Sequence, residues 1–144
     1  MDFLTAMKIS GTALKAERTR ANIASMNLAN ANTTRTIEGG PYKAKSVVFK
    51  AKRLEGSFQE TYNSVADKLR KVEVAEVVED PTPFKEIYDP SHPDADENGI
   101  VRMPNVNVVE QMVDLMSARR DFEANVAALD SIKTMALRAM DISR

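Results

Sequence analysis

Asp94, Asp96 and Asn98 set side-chain oxygens at alternating positions ahead of Gly99, which is the first half of an EF-hand calcium loop. The second half fails. The twelfth position, where a bidentate Glu closes such a site, is Asn105. Pro90 and Pro93 also bar a helix from leading into the loop. The segment reads as an acidic turn, with a calcium-responsive binding module kept as an alternative. His92 is the only histidine and stands between Ser91 and Pro93. A zinc site needs further nitrogen or sulfur donors, and the chain has no Cys to supply them. A Ser/His/Asp triad would rest on this one residue. No glycine-rich phosphate loop is present. The expectation is a protein with no catalytic, cofactor-binding or metal-binding residues, and not an enzyme.

The elements around that turn are of two kinds. From Val108 to Ile142 the chain runs without Pro or Gly. Val108, Met112, Leu115, Phe122, Val126, Leu129, Ala136 and Met140 recur at steps of three and four when Arg119 and Lys133 are counted as positions filled by long stems. A helix of this length, about 52 Å at 1.5 Å per residue, needs a partner along its course. Asn107 with Glu110 resembles a capping box that starts it.

Residues 2–31 supply such a partner. Asp2 is placed to cap them, and Phe3, Met7, Leu14, Ala21, Ala24 and Leu28 form a stripe. A neighbouring seam of Ala6, Ile9, Ala13, Ala16 and Ile23 is mostly small and permits close approach. Gly11 costs this helix about 1 kcal/mol relative to Ala, so it is marginal alone. Asn30 and Asn32 are expected to end it in the left-handed conformation.

Between the helices the pattern turns to strands. Gly39-Gly40-Pro41 breaks the chain, and Tyr42, Ala44, Val47 and Phe49 then alternate with lysines. Val72, Val74, Val77 and Val78 read as a strand, as do Phe84 to Tyr88. Asn98-Gly99 is a tight-turn signal before Ile100 and Val101, and Pro104 ends the β portion. Residues 57–71 stay open between a helix with Phe58, Tyr62, Val65 and Leu69 on one face and a polar insertion. The fold class is α+β. Its N- and C-terminal helices pair as an antiparallel coiled-coil-like hairpin around a small β-rich centre. Residues 1–36 and 106–144 form the helical assembly domain, and residues 37–105 the β-rich region.

Composition agrees. Apolar residues make up 43% of the chain but aromatics only 6%, which suits helix-on-helix packing. No apolar run approaches the ~20 residues of a membrane-spanning helix, and no cleavable signal peptide is visible at Met1–Lys8. Net charge is −1 but unevenly placed: residues 1–54 carry +7 and residues 55–144 carry −8. Nine acids and one lysine fall in 73–97. These charges either face solvent or meet opposite charges in an assembly. No nucleic-acid-binding motif accompanies the basic half.

The segment NIASMNLANANTTRT at 22–36 resembles the N-terminal signature of bacterial flagellar axial proteins, the rod, hook and hook-junction subunits. GGPYKAKSVVF at 39–49, YDPSHPDADENGIVRMPNV at 88–106 and NVVEQMVDLMSARRDFEANVAALDSIKTMALRAMDI at 107–142 resemble the proximal-rod members of the basal body in particular. MPNVNVVEQM at 103–112 is the most specific piece, and residues 50–72 match least. The resemblance implies a self-assembling structural subunit of cell motility. It implies export by the flagellar type III apparatus without signal-peptide cleavage, and location in the periplasmic rod. Partners would be copies of itself and other rod proteins, with no nucleic acid and no direct membrane span. Torque would pass through terminal helices packed around the export channel. Subunit packing would then rest on Phe3, Met7, Leu14, Asn27, Leu28, Ala29, Asn30, Met112, Leu115, Phe122, Val126, Leu129 and Met140. A coiled-coil adaptor unrelated to flagella would show the same helices.

Overall fold

The computed structural model describes residues 3–53 and 69–142. In chain order the elements are α1 (Phe3–Ala29), β1 (Lys45–Arg53), β2 (Arg70–Glu79), β3 (Lys85–Tyr88), β4 (Ile100–Met103) and α2 (Val108–Ile142). The protein is α+β, with a helix near each end and two small two-stranded sheets, β1–β2 and β3–β4, between them. The expected cap at Asp2 and residues 57–68 of the open 57–71 segment lie outside the described residues, while Arg70 and Lys71 of that segment begin β2 rather than continue a helix.

Local chemistry accounts for the boundaries. The Pro- and Gly-free run 108–142 is one 35-residue helix, and the Asn107 carbonyl accepts its first bond from the Gln111 N–H at 3.0 Å. At the other end of the assembly of elements, α1 stops at Ala29 by a route the Asn content does not announce. Among the described residues no non-glycine has positive φ, so neither Asn30 nor Asn32 adopts the left-handed cap. Instead the Asn30 side-chain amide donates to the Met26 carbonyl at 2.9 Å, and Thr33 Oγ1 donates to Asn30 Oδ1 at 3.2 Å. The Met26 carbonyl also accepts the Asn30 backbone N–H at 3.1 Å, so the side-chain bond doubles the last helical bond and holds Asn30 right-handed at the helix end.

The chain forms two compact units, each drawing on both helices. One comprises residues 20–47 and 77–117. There the end of α1 and the start of α2 run antiparallel: Arg20 pairs with Asp114 at 2.7 Å, and further along α1 Asn27 bonds Gln111, further back on α2, at 2.8 Å. β3 and β4 pair antiparallel from Lys85↔Met103 to Tyr88↔Ile100. The buried side chains of this unit are Ala24, Asn27, Ala44, Val101, Pro104 and Val106.

The turn before β4 is a three-residue loop rather than the two-residue type that Asn-Gly most often marks. The Gly99 N–H donates to the Asp96 carbonyl at 2.9 Å, the Asp96 N–H to the Ile100 carbonyl at 3.0 Å, and only Gly99 has positive φ, at 75°. A Cβ at Gly99 would also lie 3.0 Å from Tyr88 Cε2 and 3.1 Å from Pro90 Cβ. Both facts require glycine there.

The other unit comprises residues 1–19, 48–76 and 118–144. Its buried side chains among the described residues are Ala16 and Ala118. Small residues let backbones approach closely but contribute little burial each, about 25 cal/mol per Å² of apolar surface.

Candidate functional site

The largest buried polar side chain in unit 20–47/77–117 is Asn27, only 1% exposed. Its amide nitrogen donates to the Lys45 carbonyl at 2.7 Å and to Gln111 Oε1 at 2.8 Å. Its oxygen accepts from Tyr42 Oη and from the Lys45 N–H, each at 2.9 Å. Every usual position of the amide is filled, and α1, β1 and α2 meet on it. A second amide holds the neighbouring residue: Asn105 Oδ1 accepts the Ala44 N–H at 2.8 Å. The Asn105 Nδ2 group lies 3.2 Å from the Asp80 carbonyl and 3.0 Å from both the carbonyl and Oγ1 of Thr82. Ala44 and Lys45, where β1 begins, are thus clasped by two asparagines distant in sequence. Burial and nearby Glu79 both push the Tyr42 phenol above its ordinary pKa, burial the more strongly.

Carboxylates of the acidic loop are taken up by hydrogen bonds to nearby backbone and hydroxyl groups. Asp96 Oδ1 accepts the N–H groups of Asn98 and Ile100, both at 2.9 Å. Asp94 Oδ2 accepts from Thr34 Oγ1 at 2.7 Å, and His92 Nδ1 accepts the Asp94 N–H at 3.1 Å. Asp89 takes Ser91 Oγ at 2.6 Å and the Ser91 N–H at 3.1 Å, which together hold its carboxyl below the ordinary range. Asp80 caps Thr82 in the same way, with the same effect. Among the described residues no three His, Asp or Glu gather where they could hold a metal.

Part of the charge asymmetry closes within the chain. Lys43 reaches Glu79 at 3.4 Å in one unit, and Lys52 reaches Glu73 at 3.5 Å in the other. All four side chains are about half exposed, so each pair contributes only ~0–1 kcal/mol. Lys43 and Glu79 also line an open cavity of about 680 Å³ with Arg35, Thr36, Tyr42 and Phe84. Its mixed charges and the absence of histidine from its lining make it a poor site for acid–base work.

The expected packing residues distribute unequally. Asn27 is buried; Phe3, Leu14, Leu28, Asn30, Leu115 and Leu129 are half-buried; Met7, Ala29, Met112, Phe122, Val126 and Met140 are exposed. On α2 the covered positions are Gln111, Asp114, Leu115, Ser117, Ala118, Asn125, Leu129, Ile132 and Ala136. The heptad stripe read from apolar residues shares only Leu115, Leu129 and Ala136 with that face. Polar Gln111 and Asp114 lie on the side toward α1, where Asn27 and Arg20 bond them. A second apolar row, Val109, Met112, Val113 and Met116, is left outside at 70%, 50%, 61% and 57% exposure. Its spacing repeats that of Gln111, Asp114, Leu115 and Ala118 offset by two residues, about 200° around the helix. The sequence reading missed Asn105 as a tie and missed this outer row, although the row's i, i+3, i+4, i+7 spacing was there to be found.

Two family models match the helical ends. Residues 7–35 match "Flagella basal body rod protein", and residues 97–142 match "Flagellar basal body rod FlgEFG protein C-terminal". They define the class as a structural rod protein of the flagellar basal body, which is not an enzyme. Full-length relatives are closer in kind. The flagellar basal-body rod protein FlgC of Salmonella typhimurium is 41% identical, with all of both chains covered. That of Borreliella burgdorferi is 39% identical over 99% of this chain and 98% of its own. That of Bacillus subtilis is 38% identical over 96% of each. This chain belongs to the FlgC family of flagellar basal-body rod proteins. Neither the unrelated adaptor nor the calcium-responsive module is supported by these relatives. Among the described residues no helix is long and apolar enough to cross a membrane.

Proposed function

We propose that this rod subunit builds the proximal rod through its terminal helices, packing on copies of itself and on other rod proteins around the export channel to carry torque. Residues 1–36 and 106–144 serve as the assembly domain, and residues 37–105 lie to its outside. The chain reaches the periplasmic rod through the flagellar type III apparatus. The observation that carries this reading is the outer row Val109, Met112, Val113 and Met116. A contiguous apolar row on a helix already packed on its other side is unusual for a monomer and ordinary for an interface. In the other unit Met7, Phe122, Val126 and Met140 are exposed as well. Asn27 acts from within, by fixing how α1, β1 and α2 meet.

The test is complementation of a strain lacking the gene with Met116→Asp or with His92→Ala. Met116→Asp is expected to be exported yet absent from purified basal bodies, which then lack rods in electron micrographs. His92→Ala should restore swimming. Normal rods built from Met116→Asp protein would refute the assignment of this face.

A further inference from the structure

Asn98-Gly99 is a dipeptide with its own chemistry. In a flexible chain the glycine nitrogen loses its proton to water or hydroxide and attacks Asn98 Cγ. The new N–Cγ bond closes a five-membered succinimide, and the Cγ–Nδ2 bond breaks to release ammonia. Water then opens either imide carbonyl, leaving aspartate or isoaspartate. Glycine favours the attack because no side chain hinders its nitrogen.

The fold opposes each requirement of that attack. The nucleophile is occupied: the Gly99 N–H donates to the Asp96 carbonyl at 2.9 Å. The Asn98 backbone is held on both sides, since Asp96 Oδ1 accepts the N–H groups of Asn98 and Ile100 at 2.9 Å each. Gly99 is buried, with Tyr88 and Pro90 close by and the Asp89 N–H donating to its carbonyl at 2.9 Å. Asn98 itself is exposed, so its amide is open to water while its neighbour's nitrogen is not.

We propose that Asn98 is a latent spontaneous-deamidation site that the Asp96 cap holds shut while the hairpin of β3 and β4 is folded. Opening must precede reaction, so the folded rate scales with the population of the opened turn. Conversion to isoaspartate inserts a methylene into the loop backbone and adds a negative charge to an acidic segment. The paired register Tyr88↔Ile100 is the first to suffer.

The test compares peptide maps of the full chain aged in mildly alkaline buffer, scoring isoaspartate and aspartate at position 98. Folded wild-type protein is expected to convert about tenfold more slowly than the same chain in urea, because two or more hydrogen bonds must open first. Asp96→Ala, checked for native circular dichroism, should convert several-fold faster than wild type without urea. Equal rates for folded and urea-unfolded wild type, or a folded Asp96→Ala variant as slow as wild type, overturn the proposal. If Asp96→Ala does not fold, hydrogen exchange of the wild-type Gly99 amide decides. Slow exchange supports the closed turn, and exchange at the rate of an open loop refutes it.

Discussion

Replacing Asn27 with Leu, nearly equal in size, tests whether the amide clasp holds unit 20–47/77–117 together. The substitution strands four partners: the N–H and carbonyl of Lys45, Gln111 Oε1 and Tyr42 Oη. Gln111 and Tyr42 are half-buried and can turn toward water. The two Lys45 backbone groups cannot move without unpairing the start of β1. Each buried group left without a partner costs ~1–3 kcal/mol. Allowing for relaxation and for the added apolar burial of Leu, the net loss is about 3 kcal/mol, which lowers Tm by roughly 10 °C in a chain of this size. Asn27→Asp separates hydrogen bonding from shape. Its second oxygen would face the Lys45 carbonyl and Gln111 Oε1, both acceptors, so the buried carboxyl favours its protonated form and its folded pKa rises above the unfolded value. Stability of Asn27→Asp therefore falls as pH rises through the interval between those two values and recovers in acid. Tyr42→Phe removes one bond and should cost only ~1 kcal/mol. Urea unfolding followed by circular dichroism, with hydrogen exchange at Lys45, reads all three variants. An Asn27→Leu protein with the wild-type midpoint and a protected Lys45 amide would show that the amide network does not hold this unit.

Gly99→Ala should destabilise by about 1–3 kcal/mol in denaturant unfolding, since it adds both a strained positive φ and a Cβ contact at 3.0 Å. Asp89 and Asp80 have depressed folded pKa values, so their contributions are present above the unfolded carboxylate range and are lost as pH falls through the folded values. In Ser91→Ala, NMR titration should find the Asp89 carboxyl moved back up toward its ordinary value, while Asp80 is unmoved. The isolated monomer should show less helix by circular dichroism than the 27 and 35 residues of α1 and α2 imply, with loss concentrated where Ala16 and Ala118 are the buried side chains. A monomer with all of that helix, resistant to protease, would contradict this picture.

Much of the architecture follows from local rules that one sequence carries. An uninterrupted run without Pro or Gly leaves little choice but a helix from 108 to 142. Gly39-Gly40-Pro41 and Asn98-Gly99 mark turns because only certain residues accept those backbone angles, and both glycines of the first pair have positive φ. The flagellar resemblance was legible in 22–36 and 88–112, and full-length relatives agree with it. Which side of α2 faces inward was not legible. Apolar residues surround much of that helix, and the choice falls to polar partners 84 and 94 residues away, Asn27 with Gln111 and Arg20 with Asp114. Asn105 likewise reads as a loop residue or a failed calcium ligand until Ala44 and Thr82 come within reach of its amide. Sequence periodicity counts how often apolar residues recur along one helix, but it contains no term for a hydrogen bond between distant segments. The sequence alone therefore determined the helices, the turns and the family. Only the tertiary structure decided that Asn27 and Asn105 clasp the start of β1, because that requires three chain segments to meet at hydrogen-bond distance.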